Sequence, residues 1–293
     1  MNSTGRQISD AFIGACFDEL EAPKPGNVHD YAAGHGWTAA DFRRSAKVAA
    51  PSIARPGASV GARIFGAVEA THAAIGHNTN LGIILLCAPM ARAAEMKVAQ
   101  MRAAIESVLA SLGVQDADLA FRAIALAAPG GLGRAERHDV SAPASVTLLE
   151  AMAAAASRDA IARQYATNFA DIFDLGAPLL EEALQRWARA PEAAALAVYL
   201  GFLSAFPDTH IQRKHGFEIA AAVQKEAAPL NALAQSASDP ASLLREVLSF
   251  DARLKAAGLN PGASADLTVA TLFAGRLARL GLPNALQSLR NND

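Results

Sequence analysis

Cysteine and aromatic side chains are scarce in this chain. Its 293 residues include two cysteines, Cys16 and Cys87, and only 6% aromatic residues. Both cysteines stand among apolar neighbours and far apart in the sequence, which predicts buried thiols and argues against a disulfide framework or a cysteine metal site. No Ser-, Gly- or Pro-rich linker divides the chain, so we expect one domain over residues 1–293.

Charge and long apolar runs are limited as well. Charged residues make up 18% of the chain and the net charge is −2, which excludes the basic surface of a typical nucleic-acid-binding protein. The apolar run 81–87 is far shorter than the roughly 20 residues that cross a bilayer, and the polar start of the chain predicts no signal peptide. We therefore expect a cytoplasmic protein without nucleic-acid or membrane partners. Its low-charge helices leave room for a homodimer.

Strand signals are weak throughout, whereas alanine, the strongest helix former, is abundant. Capping signals support helices: Thr38 and Asp41 form a capping-box pattern, and Asp239 precedes Pro240 at a predicted helix start. The chain is predicted to be an all-α, single-domain multi-helix bundle with polar site loops between helices. The predicted helices are 7–22, 38–50, 61–75, 92–112, 116–127, 144–173, 179–189, 192–205, 215–226, 240–257 and 264–280.

The segment 61–87 carries the strongest functional signal. An amphipathic helix ends at Gly76, and four polar residues follow before the apolar run begins: His77, Asn78, Thr79 and Asn80. Because an unpaired buried polar group costs roughly 1–3 kcal/mol, such a cluster between apolar segments indicates that these groups have a partner. The alternative is an exposed turn whose asparagines cap the following helix.

Two further polar clusters lie at the ends of predicted helices. Residues 23–35 hold charged and polar side chains on a loop in which two prolines fix the backbone and Gly26 permits a turn. A rigid connection with solvated charges explains the same pattern. Residues 208–216 supply one carboxylate, two imidazoles and two cations directly after an apolar helix. That density of ionisable groups favours a site over a solvated helix start.

Two other stretches have simpler explanations. In residues 130–139, glycines and arginines could bind phosphate, but no strand precedes them and no Walker lysine follows, which favours a flexible surface loop. In residues 260–267, Ser264 is a plausible helix N-cap, with Asp266 near the positive end of the helix.

In their order and spacing, these motifs resemble the triphosphoribosyl-dephospho-coenzyme A synthase family. The resemblance rests on PKPG followed by Gly-His, on G-x-N-T after a helix with a Glu, on D-T-x-x-x-R and on P-G-x-S-A-D-L, over about residues 10–280. It implies an enzyme that moves the 5-triphosphoribosyl group of ATP to a hydroxyl of dephospho-coenzyme A, with release of adenine. The product is a prosthetic-group precursor.

The resemblance also implies roles for individual acids and histidines. Displacing a base from a sugar passes through an oxocarbenium-like state, which nearby carboxylates stabilise, and the acceptor hydroxyl needs a general base. Asp208 or Asp30 would be that base. His77 and His210 would be acid–base groups or, equally, structural histidines.

A Mg²⁺ ion is the implied cofactor, and it would arrive on the triphosphate of ATP. Glu69 and Asp266 would be its protein ligands, since Mg²⁺ bound to a nucleotide needs few carboxylates. The residues expected to bind nucleotide or acceptor are Lys24, Gly26, Asn27, His29, His35, Asn78, Thr79, Asn80, Thr209, Arg213, Lys214 and Ser264.

Three positions depart from the family pattern. Leu81 replaces a lysine that usually follows the N-T pair, His29 replaces an Asp in the first motif, and His210 replaces the Asn of D-T-N. These positions are expected to contact substrate, so the departures predict a divergent branch. The alternatives are a related transferase or condensing enzyme for one-carbon carriers of the methanopterin or methylofuran type, and a helical nucleotide-binding protein without turnover.

Overall fold

The computed structural model describes residues 2–96, 100–188, 190 and 193–281. The regular elements in these ranges are helices, with isolated two-residue bridges and no strand, so the all-α prediction is confirmed. The α-helices are α1 Ser3–Glu21, α2 Ala39–Ile53, α3 Val60–Ile75, α4 Leu81–Ala94, α5 Met101–Ala110, α6 Val114–Ala127, α7 Leu148–Ala155, α8 Ala160–Ala166, α9 Ala177–Arg186, α10 Ala194–Ala205, α11 Thr209–His215, α12 Phe217–Ser236, α13 Leu244–Ala256 and α14 Gly262–Arg279.

Three apolar helices, α4, α10 and α14, form the centre of the fold. Each is buried along most of its length, as expected for helices that are hydrophobic on all sides. Helix α14 packs against α1, α4 and α10, while α3 packs against both α2 and α6, and α12 covers α10. Among the described helices, none is long and apolar enough to cross a bilayer.

Several local signals in the sequence are confirmed. The Thr38 hydroxyl accepts a hydrogen bond from the Asp41 N–H at 3.4 Å, and the Asp41 carboxylate accepts one from the Thr38 N–H at 2.9 Å, which completes the capping box of α2. Asp239 caps a 3₁₀ helix, Pro240–Leu243, that leads into α13. Cys16 and Cys87 are buried free thiols, as predicted.

The long helix predicted over 144–173 is wrong. The segment contains α7, α8 and a π-helix at Asp171–Gly176. Helix α8 begins separately because the Asp159 carboxylate accepts hydrogen bonds from the N–H groups of its first turn. It ends before Asn168 and Phe169, whose backbones are left-handed, with φ of 52° and 59°. Alanine propensity favours helix throughout this stretch and so hides both breaks.

Other predicted boundaries also moved. Helix α4 continues through Pro89 to Ala94, and α12 continues through Pro229 to Ser236, so that packing of their buried faces outweighs the hydrogen bond lost at each proline. The helix predicted over 215–226 corresponds to α12, and the shorter helix α11, which precedes it across Gly216 with a φ of 91°, was not predicted. The single helix predicted over 92–112 is wrong, because residues 92–94 end α4 and α5 begins at Met101. Residues 97–99, and the predicted boundaries at 189 and 192, lie outside the described residues.

Candidate active site

A cavity of about 820 Å³ opens between the turn 76–80, helix α11, the start of α14, the turn 34–37 and the loop 128–140. This volume lies within the range of about 300–1,000 Å³ that small-molecule sites occupy. The predicted site residues that line the cavity are Asn27, His35, His77, Asn78, Thr79, Asn80, Thr209, His210, Arg213, Lys214 and Asp266.

The polar turn between α3 and α4 both caps a helix and lines the cavity. The Asn78 side-chain oxygen accepts hydrogen bonds from the N–H groups of Asn80 and Leu81, at 3.2 and 3.0 Å, which satisfies free donors at the start of α4. The Thr79 hydroxyl lies 2.6 Å from the Ser45 hydroxyl, which ties the turn to α2. The capping explanation and the site explanation of this turn are therefore compatible.

Several polar atoms around this turn have no protein partner among the described residues. They are Thr71 Oγ1, His72 Nδ1, His77 Nε2 and Asn80 Nδ2, and all four side chains border a second cavity of about 10 Å³. Polar atoms without a protein partner that border a cavity are available to hydrogen-bond a ligand or a water molecule.

An aromatic pair lies beside the turn. The rings of Trp37 and His77 stack with centroids 3.3 Å apart and planes inclined by 16°. Trp37 closes a tight turn in which the central residues, His35 and Gly36, have φ of 54° and 84°. His35 Nε2 lies 2.8 Å from the carbonyl oxygen of Gly26, so this turn is anchored to the preceding loop.

Cationic side chains line another part of the cavity, which we call the cationic wall: Arg134, Arg137, Arg158, Arg213 and Lys214. The glycine-rich loop joins this wall because the Arg213 side chain donates a hydrogen bond to the carbonyl oxygen of Gly130 at 3.1 Å. The loop is exposed, as predicted, and it also borders the cavity, which the surface-loop interpretation did not include. Burial and the neighbouring Arg213 lower the pKa of Lys214. A wall of this charge favours a polyanionic ligand.

Asp266 is a cavity acid whose pKa is strongly shifted. Burial raises the pKa of its carboxyl well above the usual value, and Glu19, Asp208 and Asp159 raise it further. Among the described residues, none donates a hydrogen bond to Asp266. Its carboxylate lies against Gly82 of α4, where any Cβ would overlap it. A carboxyl group with a raised pKa that faces a cavity is a candidate for proton transfer.

His210 is a neutral group of the site. Burial lowers its pKa to about 3, and the charges of Lys214 and Arg213 contribute to the shift. The ring fits against Gly262, where a Cβ would overlap Nδ1. His210 therefore offers a neutral imidazole to a ligand at physiological pH.

Asp208 has a different place from the one expected of a general base. It is 1% exposed, does not line the cavity, and is the N-cap of α11. One carboxylate oxygen accepts hydrogen bonds from the N–H groups of His210 and Ile211, and the other accepts from the N–H and hydroxyl of Ser264, both at 2.8 Å. With four donors on it, Asp208 has no free oxygen for a substrate proton.

The contact between Asp208 and Ser264 instead joins the starts of two helices that line the cavity. Ser264 is fully buried inside α14, which begins at Gly262, so it is not the N-cap that the local pattern predicted. Thr209 extends the connection, because its hydroxyl accepts a hydrogen bond from the Ala160 N–H at 3.1 Å. The Asp208–Ser264 clasp thereby sets the relative positions of His210 and Asp266.

The first motif lies mostly inside the fold and not on the cavity. Lys24 is fully buried, donates to the Val28 carbonyl oxygen at 2.7 Å and lies 3.0 Å from the Glu19 carboxylate. His29 lies 3.3 Å from Asp251, whose other carboxylate oxygen accepts a hydrogen bond from the N–H of Gly26.

Asp30, the second acid that the resemblance put forward as a base, differs from Asp266 in both its position and its pKa. It forms a bidentate ion pair with Arg43 outside the cavity, and that pairing lowers its pKa. Of the first motif and its continuation, Asn27 and His35 reach the cavity, and Asn27 donates to the Asn260 side chain at 2.8 Å.

The two acids expected to bind Mg²⁺ lie in different surroundings. Glu69 is exposed on α3 and is not among the cavity residues, whereas Asp266 is. Within the described part of the chain, no three His, Cys, Asp or Glu side chains come together as a metal site. Asp159 lies at the cationic wall, 3.5 Å from Arg213. Scattered carboxylates of this kind fit an Mg²⁺ that is held chiefly by substrate phosphates.

Sequence reasoning missed several cavity residues: Glu19, Trp37, Arg134, Arg137, Arg158 and Asp159. The arginines of the glycine-rich loop carried a usable signal, because their phosphate-binding chemistry was recognised without the fold that brings them to the site. Trp37 is one of only two tryptophans in the chain, and a tryptophan in a glycine-containing turn is a signal of the same kind. Glu19, in the last turn of α1, carried none.

Comparisons with known proteins bear on the family and the fold of the chain. The family model CitG, described as ATP:dephospho-CoA triphosphoribosyl transferase, matches residues 5–284. The chain is similar to a solved structure from Archaeoglobus fulgidus, a candidate triphosphoribosyl-dephospho-coA synthase, with 22% identity, a TM-score of 0.61, and coverage of 78% of this chain and 95% of that one. At this identity the likeness shows the fold. No curated protein matches the chain.

The Asp208–Ser264 clasp predicts a large effect on stability. Replacing the carboxylate by an amide, Asp208→Asn, places an N–H₂ group among four hydrogen-bond donors, so we expect the free energy of unfolding to fall by about 2–4 kcal/mol. Denaturant unfolding would measure this change. Asp239→Asn is the matched control, because Asp239 is also a helix cap but is solvent-exposed, and it should change stability by less than about 1 kcal/mol. Equal effects of the two substitutions would contradict the structural role of Asp208.

Proposed function

Because the chain belongs to the CitG family of ATP:dephospho-CoA triphosphoribosyl transferases, we propose that it transfers the 5-triphosphoribosyl group of ATP to a hydroxyl of dephospho-CoA and releases adenine. The observation that carries this proposal is the combination, in one cavity, of the cationic wall with Asp266. The wall suits a triphosphate, and Asp266 suits proton transfer from an acceptor hydroxyl.

The reaction breaks the bond between C1′ of the ribose and N9 of adenine. The acceptor oxygen then bonds to C1′ and its proton goes to the ionised form of Asp266. Adenine takes up a proton from solvent as it leaves, and Asp266 returns its proton to solvent afterwards, so the overall reaction is balanced. Until it accepts the proton, the ionised carboxylate also stabilises the positive charge that grows on the sugar in the transition state. Asp266 therefore replaces Asp208 and Asp30 in the proposal, because it alone of the three lines the cavity.

The cationic wall would bind and orient the triphosphate. Arginine provides paired N–H donors for phosphate oxygens, and Lys214 adds a point charge. Mg²⁺ would come in with the triphosphate and would neutralise phosphate charge there, with Asp159 as the carboxylate at that wall. His210, neutral at physiological pH, and the polar turn 76–80 would form hydrogen bonds with the ribose or the acceptor.

The acceptor is the less constrained part of the proposal. Leu81 lines the cavity where the family resemblance predicts a lysine, so this part of the cavity has one cation fewer than expected. This observation favours, as the second candidate, transfer to a less anionic hydroxyl acceptor such as a one-carbon carrier precursor. The same cavity residues would serve ATP in either case.

Adenine release tests the reaction directly. Purified protein with ATP, Mg²⁺ and dephospho-CoA should release adenine only when the acceptor is present, and the product should have the mass of the triphosphoribosylated acceptor. Chromatography and mass spectrometry would measure both, with chelation of Mg²⁺ expected to reduce the rate. Adenine release with a one-carbon carrier precursor but not with dephospho-CoA would favour the second candidate. Saturable ATP binding without adenine release for any acceptor would contradict both transfer reactions.

Asp266→Asn should separate catalysis from stability. Removing the base should lower kcat by about 10²–10⁴-fold. The folded-state pKa of Asp266 is raised, so its ionisation disfavours the folded state, and stability falls as pH rises from the unfolded pKa of about 4 through the raised value. The variant should therefore melt at a higher temperature than the wild type at pH 8, and this difference should vanish near pH 4.

Asp251→Asn is the matched control for this pH dependence. Burial acts to raise the pKa of Asp251, but hydrogen bonds from His29, Lys255 and the N–H of Gly26 outweigh it, and the pKa is lowered. Ionised Asp251 therefore stabilises the fold, and its replacement should lower the melting temperature at pH 8. A loss of stability in Asp266→Asn at pH 8 would count against the raised pKa, and unchanged kcat would count against its role as the base.

Lys214→Gln tests the cationic wall. Because it removes a charge next to the expected position of the triphosphate, we expect the KM for ATP to rise by roughly tenfold with a smaller effect on kcat. Lys225→Gln, at an exposed position of α12 outside the cavity, should leave both constants within twofold. Steady-state kinetics at fixed salt would measure the difference. A KM for ATP that does not change in Lys214→Gln would show that this lysine does not bind the phosphates.

A further inference from the structure

We propose that the indole ring of Trp37 stacks on the purine base of a bound nucleotide and is the base-recognition element of this cavity. The inference deepens the proposed function, and it rests on that function for the nucleotide nature of the ligands. It gives a role, binding of the nucleotide base, to a part of the cavity that contains neither the cationic wall nor Asp266.

The backbone around Trp37 holds the ring in a defined position. The N–H and C=O groups of Gly34 and Trp37 form two reciprocal hydrogen bonds, of 2.9 and 3.2 Å. Between them, His35 and Gly36 both have left-handed backbones, the geometry of the tightest two-residue hairpin turns. His35 adds a third attachment through the carbonyl oxygen of Gly26. A side chain at the end of such a turn is positioned with little freedom.

The ring has one covered face. His77 stacks on it at 3.3 Å and 16°, and His77 itself belongs to the polar turn before α4. Trp37 is nevertheless only half-buried, and it lines the cavity. An indole ring that is backed on one face and lines a ligand cavity offers a flat apolar surface of about the size of a purine.

The chemistry of the cavity gives this surface a role. Aromatic side chains bind nucleobases by stacking, which tolerates different bases and orients the ring plane. The cationic wall binds phosphate, so the base and the phosphates of one nucleotide would contact different parts of a single cavity. Adenine occurs in both ATP and dephospho-CoA, and the purine is therefore the shared chemistry that Trp37 would recognise.

Tryptophan fluorescence provides a binding signal that does not depend on turnover. The chain has two tryptophans, and the second, Trp187, is 2% exposed, donates to the carbonyl oxygen of Ala237 at 2.9 Å and does not line the cavity. A ligand that stacks on Trp37 should quench its emission. The probes are ATP, dephospho-CoA and inorganic tripolyphosphate, each titrated alone.

We expect quenching by ATP, by dephospho-CoA or by both, and none by tripolyphosphate, which carries no base. Trp37→Phe should abolish the quenching, because only Trp187 then emits, whereas Trp187→Phe should retain it. Calorimetric titration of Trp37→Ala should show affinity for the quenching nucleotide reduced by roughly 5- to 100-fold, with Trp37→Phe intermediate and tripolyphosphate binding unchanged. Circular dichroism melting would confirm that the variants are folded.

Three results would overturn the proposal: absence of quenching by both nucleotides, equal quenching by tripolyphosphate, and unchanged nucleotide affinity in Trp37→Ala. Quenching that only one nucleotide produces would identify which substrate carries the stacked base. Because these are binding measurements, they remain informative if adenine release fails, and a working transfer reaction with no effect of Trp37 would reject the stacking alone.

Discussion

The geometry of the site depends on one buried carboxylate. Asp208 accepts hydrogen bonds from the first turn of α11 with one oxygen and from Ser264 of α14 with the other. Burial raises the pKa of Asp208, and the four hydrogen bonds that it accepts offset part of that cost. Since α11 carries part of the cationic wall and α14 carries Asp266, the clasp sets the distance between the groups that would bind phosphate and the group that would accept a proton.

The rest of the site is built from groups that repel one another. The cationic wall gathers like charges, and Asp266 lies among other carboxylates in surroundings that disfavour its ionised form. Polar atoms beside the turn 76–80 have no protein partner among the described residues and are available to a ligand. A fold can hold such an arrangement only if its core is stable enough, and the apolar helices α4, α10 and α14 provide that stability. A ligand with a polyphosphate and a planar base would relieve part of this repulsion.

The sequence was informative about local features and much less so about which loops meet. Helical periodicity and caps such as Thr38 and Asp239 depend on neighbouring residues, so they were predictable. The polar turn 76–80 stood out because its composition contrasts with that of its flanks. By contrast, Asp30 is paired with Arg43, and the hydrogen bonds that occupy the Asp208 carboxylate come partly from Ser264. Only the tertiary structure shows that these residues meet. The same reason explains why the glycine-rich loop was not assigned to the site.

The contact of Gly82 with Asp266 has a consequence for how this protein can diverge. Because any Cβ at position 82 would overlap the Asp266 carboxylate, a side chain there requires that carboxylate to rotate away, residue 266 to shorten or its helix to shift. Each of these changes moves or removes the acid of the cavity. A larger residue at position 82 is therefore expected to be neutral only in a descendant that no longer depends on that acid.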